Sequence, residues 1–155
     1  MLTLTAAVVD DSRFARQAIM QTLKQSGLAH FSFVEAADGI QALEVLAANR
    51  VDIVFLDWNL PYMNGPEVVR QLRQDRKTTN IPVVMVTSER SMGKVMQALD
   101  ESEVDGYVMK PFTADELRQR LSSLFDDLRK GDGRASTRKD KKKSTNLLWR
   151  LLGRE

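Results

Sequence analysis

The sequence has no cysteine and only one histidine, His30, among its 155 residues. The lack of cysteine excludes disulfides, thiolate metal sites and a cysteine nucleophile, and it is consistent with a reducing compartment. One histidine is too few for a zinc site built on several histidines. We interpret His30, which follows the first predicted helix, as a surface residue in a loop and not as a phosphodonor.

Long hydrophobic runs are also missing. No apolar stretch approaches the roughly 20 residues that span a bilayer, and the first residues lack the composition of a signal peptide, so a cytoplasmic location is expected. Charge is unevenly distributed, because residues 1–130 hold 15 basic and 18 acidic side chains (net −3) and residues 131–155 hold 8 and 3 (net +5). We therefore predict one domain over residues 1–130 and a separate basic extension over residues 131–155.

Five short apolar runs alternate with segments of helical periodicity. The runs predicted as strands are Leu4–Val9, Phe31–Ala36, Ile53–Leu56, Pro82–Thr87 and Gly106–Lys110. The first predicted helix runs from Ser12 to Gly27, with Phe14, Ile19 and Leu23 on its apolar face, and the second starts at Gly39, with Ile40, Leu43, Val45 and Leu46 on its apolar face. A third helix starts at Gly65–Pro66, and a less regular one covers Gly93–Glu101. The last helix is opened by the capping box Thr113–Glu116. This alternation predicts a parallel sheet with helices on both faces.

The central apolar run, Ile53–Leu56, stops at the carboxylate of Asp57. An Asp after a strand is most often a turn residue or a helix cap, and that interpretation remains open for Asp57 taken alone. In an open α/β sheet, however, ligands bind at the carboxyl ends of the strands. The residues at the other strand ends therefore decide between the two interpretations.

Polar side chains end four of the predicted strands. Asp10 and Asp11 follow the first strand, Asp57 the third, Thr87 ends the fourth and Lys110 ends the fifth. The three carboxylates repel each other even with one ammonium beside them. A hard cation that prefers oxygen ligands, Mg²⁺, would relieve this repulsion. A carboxylate can also attack phosphorus to give an aspartyl phosphate, with Lys110 and Thr87 neutralising and hydrogen-bonding the phosphoryl oxygens. We choose Asp57 as the nucleophile because it stands alone on the central strand.

The sequence resembles the receiver domains of two-component response regulators, and especially the chemotaxis receivers among them. The similarity covers about residues 4–128, and five matching motifs in order are far more specific than any one of them. The motifs are Val-Val-Asp-Asp-Ser at 8–12, Asp-Trp-Asn-Leu-Pro at 57–61, Met-Asn-Gly at 63–65, Val-Thr-Ser-Glu at 86–89 and Gly-Tyr-Val-Met-Lys-Pro-Phe-Thr-Ala at 106–114. The resemblance implies a flavodoxin-like doubly wound (βα)5 fold with strand order 2-1-3-4-5.

The resemblance also implies a chemistry. Asp57 would accept a phosphoryl group from a sensor histidine kinase, and Mg²⁺ would be held by the side chains of Asp11 and Asp57 and the backbone carbonyl of Asn59, with Asp10 acting through water. Lys110-Pro111 matches a position where the family has a cis peptide. Enzymatic activity stays uncertain, because such proteins are mainly switches that self-phosphorylate from small donors and dephosphorylate themselves.

Two further pairs of residues match positions with known roles in the family. Thr87 and Tyr107 correspond to a coupled pair that switches on phosphorylation, although Tyr107 read alone is a half-buried strand aromatic. Asn59 and Glu89 fall where the family tunes dephosphorylation, and their identities imply a fairly short-lived phosphate.

The extension over residues 131–155 begins with a small, polar and basic stretch that is typical of a disordered linker. It continues with five large apolar side chains, which are Leu147, Leu148, Trp149, Leu151 and Leu152. We interpret them as anchors of a tethered docking peptide, with the lysines attracted to an acidic surface or membrane. The alternatives are that this segment packs back on the domain or has no selected role.

The leading function is a single-domain signalling switch that binds an unknown downstream protein. A phosphorelay intermediate, a phosphate sink and a scaffold or adaptor acting through its tail remain alternatives. A sequence-specific DNA-binding protein is disfavoured because the basic run has no recognition helix. A phosphatase with an aspartate nucleophile would need a second positioned acid and a substrate pocket, which the sequence does not show.

Overall fold

The computed structural model describes residues 2–88, 93–94 and 104–131. Its elements in chain order are β1 (Thr3–Val9), α1 (Arg13–Ser26), β2 (His30–Ala36), α2 (Gly39–Ala48), β3 (Ile53–Asp57), α3 (Gly65–Gln74), β4 (Val83–Thr87), β5 (Gly106–Met109) and α4 (Ala114–Lys130). Most of the helix predicted over 93–101 lies outside the described residues. Within the described part of the chain, no helix is both long and apolar enough to cross a membrane.

The five strands form one parallel sheet in the order β2-β1-β3-β4-β5. Helices α1 and α4 cover one face through a core that includes Leu23, Phe55 and Phe125, and α2 and α3 cover the other through Leu46 and Leu72. Residues of β3 and β4 are buried on both faces, as their continuous apolar sequences require. The predicted flavodoxin-like doubly wound fold and its strand order are confirmed.

A side-chain cap begins each of the four described helices at the carboxyl edge of the sheet. Ser12 accepts a hydrogen bond from Ala15 N, and the same i to i+3 contact is made at the other three helices by Asp38, Asn64 and Thr113. These caps satisfy backbone donors that have no partner within the helix. At the other end of α1, Gly27 has a φ of 70°, a conformation that glycine adopts without steric cost.

Three local predictions were wrong. Phe14 and Ile40, placed on apolar faces from their spacing, are 82% and 49% exposed. Both belong to the first turn of their helix. The buried residues of α2 are Gly39, Ala42 and Leu46, of which Leu46 was predicted on the apolar face. His30 begins β2 and is not in a loop, because its N–H donates to Leu2 O at 2.8 Å. Its side chain is exposed, as predicted.

Candidate functional site

The adjacent strands β1 and β3 bring three carboxylates together at the carboxyl edge of the sheet. Asp10 follows the last residue of β1, and Asp57 is the last residue of β3. One oxygen from each of Asp10, Asp11 and Asp57 lies within 4.8 Å of the others. Asp10 and Asp57 are buried and Asp11 is exposed. The cluster therefore combines two desolvated negative charges with a third that faces the solvent.

Lys110 brings a positive charge into this cluster from the end of β5. Its Nζ lies 2.6 Å from Asp10 Oδ2 and 3.6 Å from Asp57 Oδ1. The peptide bond that follows it, Lys110–Pro111, is cis, as the resemblance implies. One ammonium thus faces three carboxylates, with its shorter contact to Asp10 and not to Asp57.

Asp10 is held in place by its neighbours in α1. Its Oδ1 accepts a hydrogen bond from Ser12 N at 2.9 Å, and its carbonyl oxygen accepts one from Arg16 Nη1 at 2.7 Å. Arg16 is itself oriented by an ion pair between its Nε and Glu35 Oε1 at 2.9 Å. Sequence reasoning did not anticipate Arg16. The only signal in the sequence was the position of Arg16 one helical turn after the cap Ser12. Its partner Glu35 is 19 residues away along the chain and lies on β2.

The environment of Asp57 favours its neutral form. Its pKa is raised from 3.8 to about 6, mainly by burial, and the negative charges of Asp10 and Asp11 act in the same direction. The ammonium of Lys110 and the backbone N–H of Asn59, which hydrogen-bonds the carboxylate, lower the pKa and offset part of this increase. Asp57 is therefore ionised at neutral pH but is more basic than an exposed aspartate, which suits a nucleophile.

Thr87 and Tyr107 lie on the neighbouring strands β4 and β5. Thr87 ends β4, is completely buried, and its hydroxyl donates to Ser88 O at 3.2 Å. Tyr107 is paired with Met85 in the β4–β5 register, two residues from Thr87 on the same face of the sheet. Its ring is half-buried against the core under α2 and α3, and the guanidinium of Arg120 lies 5.0 Å from its centroid.

The loop after Asp57 folds back tightly on the strand end. Gly65 N donates to Trp58 O at 3.0 Å, and a Cβ at Gly65 would lie 2.9 Å from Asp57 O and 3.1 Å from Met85 Cε. Sequence reasoning treated Gly65 only as a break before a helix and missed this contact. Trp58 is partly buried and packs on the core, as predicted.

The remaining predicted site residues lie partly inside and partly outside the described part of the chain. Asn59 is described, and its backbone contacts Asp57. Glu89 lies outside the described residues, and so do the tail positions Leu147, Leu148, Trp149, Leu151 and Leu152.

Comparison with known proteins gives this geometry a context. The family model for the response regulator receiver domain matches residues 6–122. The chain is 38% identical to a chemotaxis protein CheY homolog of Campylobacter jejuni over 76% of this chain and 89% of that protein. It is 35% identical to chemotaxis protein CheY of Pseudomonas aeruginosa over 77% and 94%.

A solved structure agrees with the sequence matches. The chemotaxis response regulator CheY4 of Vibrio cholerae, at 30% identity, superposes with a TM-score of 0.66 over 79% of this chain and 98% of that one. Sequence motifs, strand order and the acidic edge of the sheet thus agree with each other. The chain belongs to the response regulator receiver domain family of two-component signalling systems.

Proposed function

We propose that this response regulator accepts a phosphoryl group on Asp57 from a sensor histidine kinase and thereby changes its affinity for a downstream protein. The observation that carries the proposal is a buried carboxylate with a pKa of about 6 at the end of the central strand, 3.6 Å from the ammonium of Lys110. An ordinary turn residue or helix cap would be exposed and would not face two further carboxylates.

In the proposed transfer, an ionised oxygen of Asp57 attacks phosphorus and the bond from phosphorus to the donor nitrogen breaks. The electron pair of that bond stays on the histidine nitrogen, which takes up a proton. Lys110 offsets negative charge on one phosphoryl oxygen, and Thr87 reorients its hydroxyl from Ser88 O to donate to another. The protein then contributes mainly positioning and electrostatic stabilisation.

The donor set suits Mg²⁺. Asp10, Asp11 and Asp57 offer only oxygen ligands within 4.8 Å, and Lys110 alone cannot balance their three charges. We assign direct coordination to the side chains of Asp11 and Asp57 and to the backbone carbonyl of Asn59, with Asp10 contributing through water. The bound ion would supply neutralisation of phosphoryl charge, which one ammonium provides only in part.

The switch that we propose uses the face shared by Thr87 and Tyr107. Thr87 is fully buried, so a shift of its side chain towards a phosphoryl oxygen would vacate volume on the side of Tyr107. The half-buried ring of Tyr107 then turns inward and leaves the guanidinium of Arg120. Phosphorylation is thus converted into a change of surface shape along β5 and α4.

We further propose that Asn59 and Glu89 make the phosphate short-lived. In purified protein with Mg²⁺, we expect a half-life of the phosphorylated form well below many hours. A stable phosphate would contradict this part of the proposal without affecting the role of Asp57.

Similarity to chemotaxis proteins on most of their length favours a CheY-like single-domain switch. A phosphorelay intermediate or phosphate sink uses the same chemistry, and a tail-mediated scaffold or adaptor would act through residues 131–155. In the last case the apolar anchors Leu147–Leu152 would bind a partner or an acidic surface. Recovery of cellular partners with protein treated with acetyl phosphate, with and without Mg²⁺, distinguishes these roles.

The test of the chemistry is phosphorylation by acetyl phosphate, followed by intact mass and a phosphate-affinity gel. Wild-type protein should gain one phosphoryl group only with Mg²⁺, and Asp57→Asn should gain none. Lys110→Met should react about 10²–10³-fold more slowly, the usual effect of losing one transition-state contact. Glu44→Gln, which removes an exposed carboxylate of α2, is the matched control and should react normally. Equal labelling of Asp57→Asn would refute the assignment.

A further inference from the structure

An uncovered apolar groove lies between α1 and the chain that joins β5 to α4. Its volume is about 350 Å³, at the lower end of the roughly 300–1,000 Å³ range of ligand pockets. Phe14 forms one wall and Pro111 and Phe112 the other, and the small side chain of Ala18 lies between them. Phe14 is 82% exposed although it is a large aromatic, so the described residues leave this wall open to solvent.

The chain contains an apolar segment that suits such a groove. In a helix, Leu147, Leu148, Leu151 and Leu152 would share one face, because Leu147 and Leu151 are four residues apart and so are Leu148 and Leu152. Trp149 would flank that face. A short helix with an apolar face is the usual occupant of a groove between helices. A helix of so few residues is too short to be stable alone.

The linker has a suitable length to bring this segment to the groove. Helix α4 has 17 residues and its first turn adjoins Phe112, so at about 1.5 Å per residue its C-terminal end lies about 25 Å from the groove. The 16 residues from Gly131 to Asn146 would have, as a flexible chain, a root-mean-square span of about 20–24 Å. The local concentration of the segment at the groove is greatest when the two lengths match.

The lining of this groove suits an apolar segment better than that of a second groove between α2 and α3. The second groove is lined largely by polar side chains, among them Gln71, Asp75 and Arg76. The side chains that line the first groove are apolar apart from those of Thr22 and Lys110. A leucine-rich segment therefore buries few polar groups in the first groove, whereas in the second it would cover amide and charged side chains at a cost in free energy.

We propose that residues 147–152 dock in cis into the groove formed by Phe14, Ala18 and Phe112. The segment is thereby an internal ligand of the receiver domain, seated beside Lys110 at the end of the candidate site. This docking requires no phosphorylation of Asp57, so it stands or falls independently of the proposed function.

Disulfide trapping in the full chain tests the proposal without competing disulfides from native residues, because the natural sequence has no cysteine. The test variant combines Ala18→Cys with Leu148→Cys, and the control combines Ala47→Cys, in the second groove, with Leu148→Cys. We expect the test pair to close within one molecule at least about tenfold faster than the control, at a rate independent of protein concentration.

Each other outcome overturns the docking in cis. Equal rates in the two variants would show a segment that visits both grooves by chance. Faster closure of the control would assign the second groove. Disulfide-linked dimers that increase with concentration would assign the segment to a second copy of the chain.

Tryptophan fluorescence provides a second measurement if a cysteine variant does not fold. In a Trp58→Phe background, Trp149 is the only tryptophan. Docking predicts blue-shifted emission and weak quenching by acrylamide, both reversed by Ala18→Arg. Gln17→Arg adds the same charge to the neighbouring exposed position of α1 and should leave both unchanged. Emission that is equally red-shifted and equally quenched in all three proteins would refute the proposal.

Discussion

The two edges of the sheet each bury charge, but they balance it differently. At the amino edge, Arg73 Nη2 lies 3.3 Å from Asp105 Oδ2, and the same oxygen accepts a hydrogen bond from Val83 N at 2.8 Å. Arg73 Nη1 also donates to Ile81 O at 2.8 Å. At the carboxyl edge, Lys110 faces three carboxylates. The first edge is a neutral clamp, whereas the second retains excess negative charge.

We interpret the buried charge at the amino edge as structural and that at the carboxyl edge as functional. A buried pair of equal and opposite charges with its hydrogen bonds satisfied holds two loops to the sheet. An excess of buried carboxylates destabilises the empty protein and favours the binding of a cation. We therefore expect opposite signs when a charge is removed at the two edges.

The largest effect is expected at the amino edge. Arg73→Leu removes the positive charge that balances the buried carboxylate of Asp105 and should lower the free energy of unfolding by about 3–5 kcal/mol. Urea denaturation measures it, and Arg70→Leu, at an exposed position of the same helix, is the control. A loss below 1 kcal/mol for Arg73→Leu would remove the distinction between the two edges. The double variant Arg73→Leu/Asp105→Leu should recover part of the loss.

At the carboxyl edge we expect a gain in stability. The pKa of Asp57 is raised from 3.8 to about 6, so its ionisation opposes folding fully above pH 6 and not at all below pH 4. In metal-free buffer, Asp57→Asn should raise the free energy of unfolding by about 1–3 kcal/mol at pH 8, and the gain should disappear towards pH 4. Urea denaturation at both pH values measures it, with Glu44→Gln as the control. A loss of stability at pH 8 would contradict the account.

Mg²⁺ should stabilise the protein through the carboxyl edge and not through the amino edge. At a free concentration ten times its Kd, the ion should raise the free energy of unfolding by about 1.4 kcal/mol, and EDTA should remove the increase. Asp11→Asn should abolish most of this increment, and Arg73→Leu should keep it. An increment that survives Asp11→Asn would place the ion elsewhere.

The smallest effect is expected for ion pairs outside both edges. Asp126 Oδ1 lies 2.8 Å from Arg129 Nη1, and both side chains are more than half exposed. Asp126→Asn should change the free energy of unfolding by no more than about 0.5 kcal/mol, because exposed pairs are screened by water. Thermal unfolding in parallel with Arg73→Leu provides the contrast. A change comparable to that of Arg73→Leu would show that burial does not decide the value of these pairs.

The strand ends were predictable from the sequence, and their contacts were not. Asp10, Asp57 and Lys110 were expected at one edge because parallel strands joined by helices place all their carboxyl ends together. That rule contains no information about which oxygen Lys110 prefers. The clamp between Arg73 and Asp105 was missed because its members are 32 residues apart and neither belongs to a recognisable motif.

Periodicity also overestimated the core. It placed Phe14 and Ile40 on buried faces, since spacing indicates the side of a helix that faces the sheet. It does not indicate how far the sheet extends beneath that helix. Both residues lie in the first turn of their helix, and their side chains remain 82% and 49% exposed.

The four helix caps have a consequence for the approach of a phosphodonor. Because Ser12, Asp38, Asn64 and Thr113 all begin helices at the same edge, four helix dipoles present their positive ends there. Each contributes the equivalent of roughly half a positive charge near its first turn. These positive ends offset part of the negative charge of Asp10, Asp11 and Asp57, so an incoming dianion is repelled less than the carboxylates alone would repel it. This contribution comes from the backbone, and no single side-chain substitution removes it.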